Sequence, residues 1–176
     1  MSFIKKLAKL NPAPIVPLPY SRMDVTAEVI ALLSLLLSFL TLYLNWSSLP
    51  AIIPIHFNFA GETVRMGSKS ELLELQFIIA MIYLLITVVS RFPRWYRYPW
   101  KITAENASRQ YSIARSFFLW LKVLCMGAMS LCTWRIIQVA LCRTEGLGTI
   151  FGPTVLMLLF ALIAAYLLKA IRAIKN

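Results

Sequence analysis

Residues 29–44 read VIALLSLLLSFLTLYL, with no charged side chain among them. They sit inside a longer apolar segment, 25–46. A helix needs about 20 mostly apolar residues to cross the roughly 30 Å hydrocarbon core of a bilayer. Three segments of this chain meet that length, and a fourth is slightly shorter or carries polar residues near one end. The second is 71–89, with LLELQFIIAMIYLLITVV at 72–89. The third is 116–141, with FFLWLKVLCMGAMSLCTW at 117–134. The fourth is 149–171, with TVLMLLFALIAAYLL at 154–168. These runs do not alternate polar and apolar residues in short pieces, as the strands of a membrane barrel would. The expected fold is therefore an all-α membrane protein of four transmembrane helices.

Composition agrees. The hydrophobic set makes up 60% of the 176 residues and the mean hydropathy is +0.74, whereas a soluble domain is nearer half apolar. The net charge of +11 is a topology signal rather than a nucleic-acid footprint. If the spans alternate, 14 of the 18 lysines and arginines fall on one side. They lie before the first span, around the connection between spans two and three, and at the C-terminus. Arg65, Lys69, Arg135 and Arg143 are left for the other side. Positive residues stay cytoplasmic. Both termini and the 90–116 connection are thus expected inside, with 47–70 and 143–148 outside. The expected location is a bacterial inner membrane or an intracytoplasmic, thylakoid-type membrane. The first apolar run is too long for a signal-peptide core and has no small-residue exit, so it reads as a permanent anchor. Cys125, Cys132 and Cys142 form no framework and no metal-ligand spacing; in an apolar span cysteine behaves as a small apolar residue.

Residues 1–22 form a basic, proline-rich N-terminal arm ahead of a single four-helix unit, 23–176. FIKKLAKL at 3–10 fits a short amphipathic helix with Lys5 and Lys6 on its polar side. The four prolines of NPAPIVPLPY at 11–20 favour an extended path. The arm suits either lipid head groups or a docking partner. Between spans two and three, Arg94, Trp95, Tyr96 and Trp100 mix basic and aromatic side chains, as segments at a membrane interface do. From Thr103 onward a helix is expected to run straight into the third span, capped by Thr103, Glu105 and Asn106. Lys122 and Arg135 fall near opposite ends of that span, where both can snorkel to the head groups.

The only histidine lies in IPIHFNFAGE, 53–62. Ile53, Ile55, Phe57 and Phe59 alternate with Pro54, His56 and Asn58, which reads as a short extended strand. Pro50 and Pro54 exclude a helix, and Gly61 marks a turn. Ser68 and Glu71 fit an S-x-x-E capping box, so the second helix is expected to start near Ser68 with Gly67 as pivot. His56, Glu62, Glu71 and Glu74 could converge on a cation or titrate near neutrality. The simpler role of His56 is to order the loop. One histidine is a thin basis for a metal site, and pigment or haem ligation has no stronger support.

The segment LPAIIPIHFNFAGETVRMGSK, 49–69, resembles the membrane domain of unknown function 1648. The matching residues are Leu49, Pro50, Ile53, Pro54, His56, Phe57, Asn58, Gly61, Glu62, Gly67, Ser68 and Lys69. Thr63, Val64 and Arg65 stand where the pattern has an acidic segment, and Met66 where it has an aromatic residue. The resemblance implies a helical membrane domain. Through relatives in the sporulation-delay toxin system it also implies immunity or signalling, by holding a toxin off and sequestering a repressor.

No Ser/His/Asp set, HExxH, P-loop or GxGxxG occurs, and no cofactor is expected. The sequence points to a small non-enzymatic membrane protein that acts through protein contacts. An accessory subunit of a larger membrane complex comes first. An immunity- or signalling-type protein sensing a peptide or ligand through the His56 loop is the alternative, and a transporter or membrane enzyme comes behind both. The partners expected are the lipid bilayer and other membrane subunits, or further copies of the chain, with no nucleic acid.

Overall fold

The computed structural model describes residues 14–175. The expected helix at 3–10, with Lys5 and Lys6, lies outside the described residues. Four long helices dominate: α1 (Arg22–Asn45), α2 (Glu71–Arg91), α3 (Ala107–Ala140) and α4 (Phe151–Lys175). Each is long and apolar enough to cross a membrane. Between α1 and α2 the chain forms two antiparallel strands, β1 (Ile52–Phe57) and β2 (Thr63–Ser68). The extended loop expected at 53–59 is thus one arm of a hairpin. The second arm escapes a reading by alternation because Val64, Arg65 and Met66 are all exposed and no face of β2 is buried.

At 34 residues, α3 is about 51 Å long at 1.5 Å per residue. It is longer than α1, and with Ser116 level with Asp24 it begins about two turns earlier on the side away from the hairpin, so the expected helix running into the third span is present. Its entry is ordered by a reciprocal pair: Thr103 N donates to Asn106 Oδ1 at 2.9 Å and Asn106 N to Thr103 Oγ1 at 3.4 Å. A third of its most apolar stretch is buried, against 6% for α4. α3 is therefore the central helix and α4 packs on its flank.

Two apolar clusters hold α1, α2 and α3 together. One, below the hairpin, joins Leu42, Leu49, Ile53, Leu72, Ile136 and Ile137. The other joins Ala31, Ile79 and Met126. Between and beyond them lie polar links. Ser38 Oγ donates to Gln76 Oε1 at 2.9 Å and lies 3.1 Å from Thr133 Oγ1, which also accepts from Gln76 Nε2 at 3.1 Å. Here one buried residue from each of three helices satisfies the others.

Lys122 does not snorkel. It is fully buried and its Nζ meets Glu28 Oε2 of α1 at 2.5 Å and Thr87 Oγ1 of α2 at 3.0 Å, with the Tyr83 ring centroid 4.6 Å away. Glu28 faces the lysine across the α1–α3 contact, and pairing in place avoids leaving two unpaired charges among apolar helices. Arg135 is half-buried, and its guanidinium donates to Gly146 O, in the connection after α3, at 2.6 Å.

At the far end Asp24 is buried. It completes a capping box with Ser21, accepts from Ser116 Oγ at 2.6 Å and pairs with Arg115 at 3.1 Å. Arg115 also donates to Leu18 O and Pro19 O, which fastens the irregular segment 14–20 to the bundle.

Removing one partner of a buried pair leaves the other charge unpaired, at a cost of about 3–5 kcal/mol. Lys122→Met is expected to lower the unfolding temperature sharply. Glu28→Gln with Lys122→Met should recover much of that loss, because no lone charge remains. Thermal unfolding of the detergent-solubilised variants checks this. A double variant less stable than the single one would contradict it.

Candidate functional site

The hairpin is built by a tight turn and held down by its own motif residues. Asn58 N donates to Glu62 O at 2.9 Å, Gly61 N to Asn58 O at 2.9 Å and Glu62 N to Asn58 Oδ1 at 2.9 Å. Asn58 Nδ2 donates to Glu62 Oε2 at 2.7 Å. Gly61 has φ +82°, a conformation that favours glycine. Its carbonyl accepts from Leu147 N at 2.9 Å, so the connection between α3 and α4 closes onto the hairpin tip. A side chain at Gly61 would strike the backbone of Gly148.

His56 is exposed, and its Nδ1 accepts from Arg65 Nε at 3.0 Å. The same guanidinium meets Glu71 Oε2 at 2.5 Å, and Glu71 Oε1 accepts from Ser68 N at 3.2 Å. The expected capping box is therefore half made. α2 starts at Glu71 with Ser70 as its N-cap and no side-chain cap bond. The Ser68 hydroxyl lies instead 3.3 Å from Ser70 N, which donates to it. Gly67 leaves the space that the Glu71 carboxylate occupies; a Cβ there would collide with it.

Lys69 has a role the sequence did not disclose. Its Nζ donates to Trp46 O at 3.2 Å and Leu49 O at 3.4 Å and sits 4.8 Å from the Trp46 ring centroid. Trp46 caps the C-terminus of α1. A cation at that end satisfies free carbonyls and complements the helix dipole. Lys69 thus ties the end of β2 to the end of α1.

Of the proposed cluster, His56 and Glu71 are brought together through Arg65. Glu62 belongs to the turn, and exposed Glu74 joins neither. No group of three metal-ligating side chains occurs among the described residues. Pro54 is buried and Pro50 exposed, while Phe57 packs partly against the cluster under the hairpin. Arg65 was missed because it departs from the loop pattern. Pairing 63–68 with 52–57 would have placed it opposite His56.

The other proposed contact residues divide. Arg94 and Trp95 are exposed, with Trp95 stacked on Phe92 at 4.6 Å. Tyr96 and Trp100 turn inward. Tyr96 Oη donates to Val89 O at 2.6 Å, and Trp100 Nε1 to Gln110 Oε1 at 3.2 Å. Burial pushes the Tyr96 and Tyr98 phenols above the ordinary tyrosine range, which keeps both protonated as donors.

What the hairpin leaves open is apolar. Ile52, Phe59, Val64 and Met66 are 64%, 65%, 62% and 53% exposed. Ile52, Val64 and Met66 belong to the strands and Phe59 to the turn; the pairing shifts register between Pro54 and Phe57, which leaves Val64 without a partner in the ladder. A family model described as Domain of unknown function (DUF1648) matches residues 33–80, from the middle of α1 through the hairpin to the middle of α2. The chain carries that domain in this segment, as the loop motif implied. No curated protein and no solved structure matches the chain.

Lys69→Met removes a charged donor from two carbonyls and is expected to cost about 2 kcal/mol. His56→Ala removes one exposed bond and should lower the melting temperature less. Thermal unfolding of both variants in one detergent gives the order; the reverse order would make His56 the anchor of the loop.

Proposed function

We propose that this is a small non-enzymatic integral membrane protein that presents its hairpin to another membrane subunit. The helices cross the bilayer with both termini and the 92–106 connection on the cytoplasmic side, in keeping with the bias of positive residues to that side. The hairpin then faces outward. The observation that carries the reading is a hairpin anchored to the helix ends that leaves the large apolar side chains of Ile52, Val64 and Met66 exposed. Its polar motif residues are engaged within the hairpin or with the helix ends, which makes them a frame rather than a reaction centre. Exposed apolar side chains on a frame held this firmly fit a partner surface.

The resemblance to immunity and signalling proteins supports a second reading on the same surface. Both strands of a two-stranded sheet are edges, and the outer edge of β2 can receive an extended peptide. A toxin-like peptide is the ligand that reading requires.

The test is the size of the particle extracted from the native membrane in a mild detergent. A subunit runs well above the 20.0 kDa of the chain with a stoichiometric second protein. Val64→Asp with Met66→Asp should return it to the free form while its unfolding temperature holds. A lone chain in the native extract, or an assembly indifferent to both substitutions, overturns the reading. A particle made only of this chain would replace it with a homo-oligomer.

A further inference from the structure

At the end of the bundle away from the hairpin, a cavity of ≈ 600 Å³ opens between the overshoot of α3 and the last turns of α4. Arg109, Lys169 and Arg172 line it with Ser108, Ser112 and one acid, Glu105. All three cations are exposed, and none forms an ion pair among the described residues. Among the described residues the cavity gathers three cations and one acid, Glu105, with no ion pair between them.

The cavity does not end at the charged level. Ser112, Ile113 and Lys169 also line a second cavity of ≈ 290 Å³, which continues along Phe117, Trp120, Leu162 and Tyr166 to Met23 of α1. On α3 the lining residues 109, 112, 113, 116, 117 and 120 recur at three- and four-residue steps and so share one helix face. Ser116 bonds Asp24 in the first turn of α1, which fixes the level. Arg109 stands seven residues outside it, about 10 Å. Trp120 lies one turn deeper, among the apolar helices. The groove is cationic where the helices leave the apolar zone and aromatic and aliphatic where they enter it.

We propose that this groove holds one anionic phospholipid drawn from the surrounding bilayer. The phosphate sits among Arg109, Lys169 and Arg172, and one acyl chain lies along Ile113, Phe117 and Leu162. Three cations against one carboxylate favour a net-negative head group over a zwitterionic one. The Ser108 and Ser112 hydroxyls add donors for phosphate oxygens. A free phosphate would use the charged level alone, and the apolar continuation selects the lipid.

The experiment uses the full chain purified in a mild detergent, with phosphatidylglycerol or phosphatidylcholine added at equal amounts and bound lipid read by native mass spectrometry. Phosphatidylglycerol is expected to stay bound under activation that strips phosphatidylcholine. R109A/K169A/R172A should weaken its retention about tenfold or more. Ser112→Phe, which narrows the neck without changing charge, should weaken it too, and glycerol 3-phosphate should give no adduct. Retention unchanged in both variants overturns the site. Equal loss from R91A/R94A/R97A means diffuse basic attraction instead. Binding of glycerol 3-phosphate as tight as that of the lipid means an anion site without an acyl groove.

Discussion

Charges set among apolar helices must be paired where they stand, and that constraint fixes how α1 meets α3. Asp24 and Glu28 are one turn apart on α1. Their partners, Arg115 and Lys122, are two turns apart on α3. Further along, Ser38 of α1 meets Thr133 of α3. The contacts rise together along both helices, so α1 and α3 run parallel. A slip of one turn would strand a buried lysine against apolar side chains, where an unpaired charge costs far more than an imperfect apolar contact. The apolar clusters supply attraction without direction; these polar contacts supply the register. α2 is drawn into the same arrangement through Thr87 and Gln76.

The hairpin follows from that arrangement. With α1 and α2 fixed side by side, the twenty-five residues between them must turn back over the helix ends. Ile53 is fully buried under the hairpin against Leu42, Leu72 and Ile137, which sets one face down. Lys69 then closes the carbonyl end of α1, and Gly61 lets the connection after α3 press on the tip. Each anchor joins parts far apart in sequence, so none could be recognised by local spacing alone.

Much of the fold was legible for a simple reason. A helix in an apolar medium needs a long, nearly charge-free run, and four such runs stand out. The continuation of α3 below its span was legible because no proline or glycine interrupts 103–126. The polar contacts between helices were not. Lys122 looked like a snorkelling lysine because sequence gives its depth in one span and nothing about which side chains face it from another. Asp24 and Glu28 lay at the start of an apolar run, where acids are unremarkable. At the hairpin, His56 and Gly67 of the motif lie on the two strands and Asn58 and Gly61 in the turn between them. Arg65, which joins His56 to Glu71, stood at a departure from the motif, and its spacing alone gave it no partner.

α3 takes part in most of these links, and that explains its weak patterning. One side carries Arg115, Lys122 and Thr133 toward α1 and α2. Another carries Phe117 toward Tyr166 of α4, and Gln110 donates to Ala170 O at 3.0 Å. A helix contacted on several sides has no single polar face, so periodicity says little about it. The hairpin and the basic groove sit toward opposite ends of the bundle, separated by most of the length of α3. The hairpin and the groove are separate surfaces on one scaffold, and the two proposals rest on different residues.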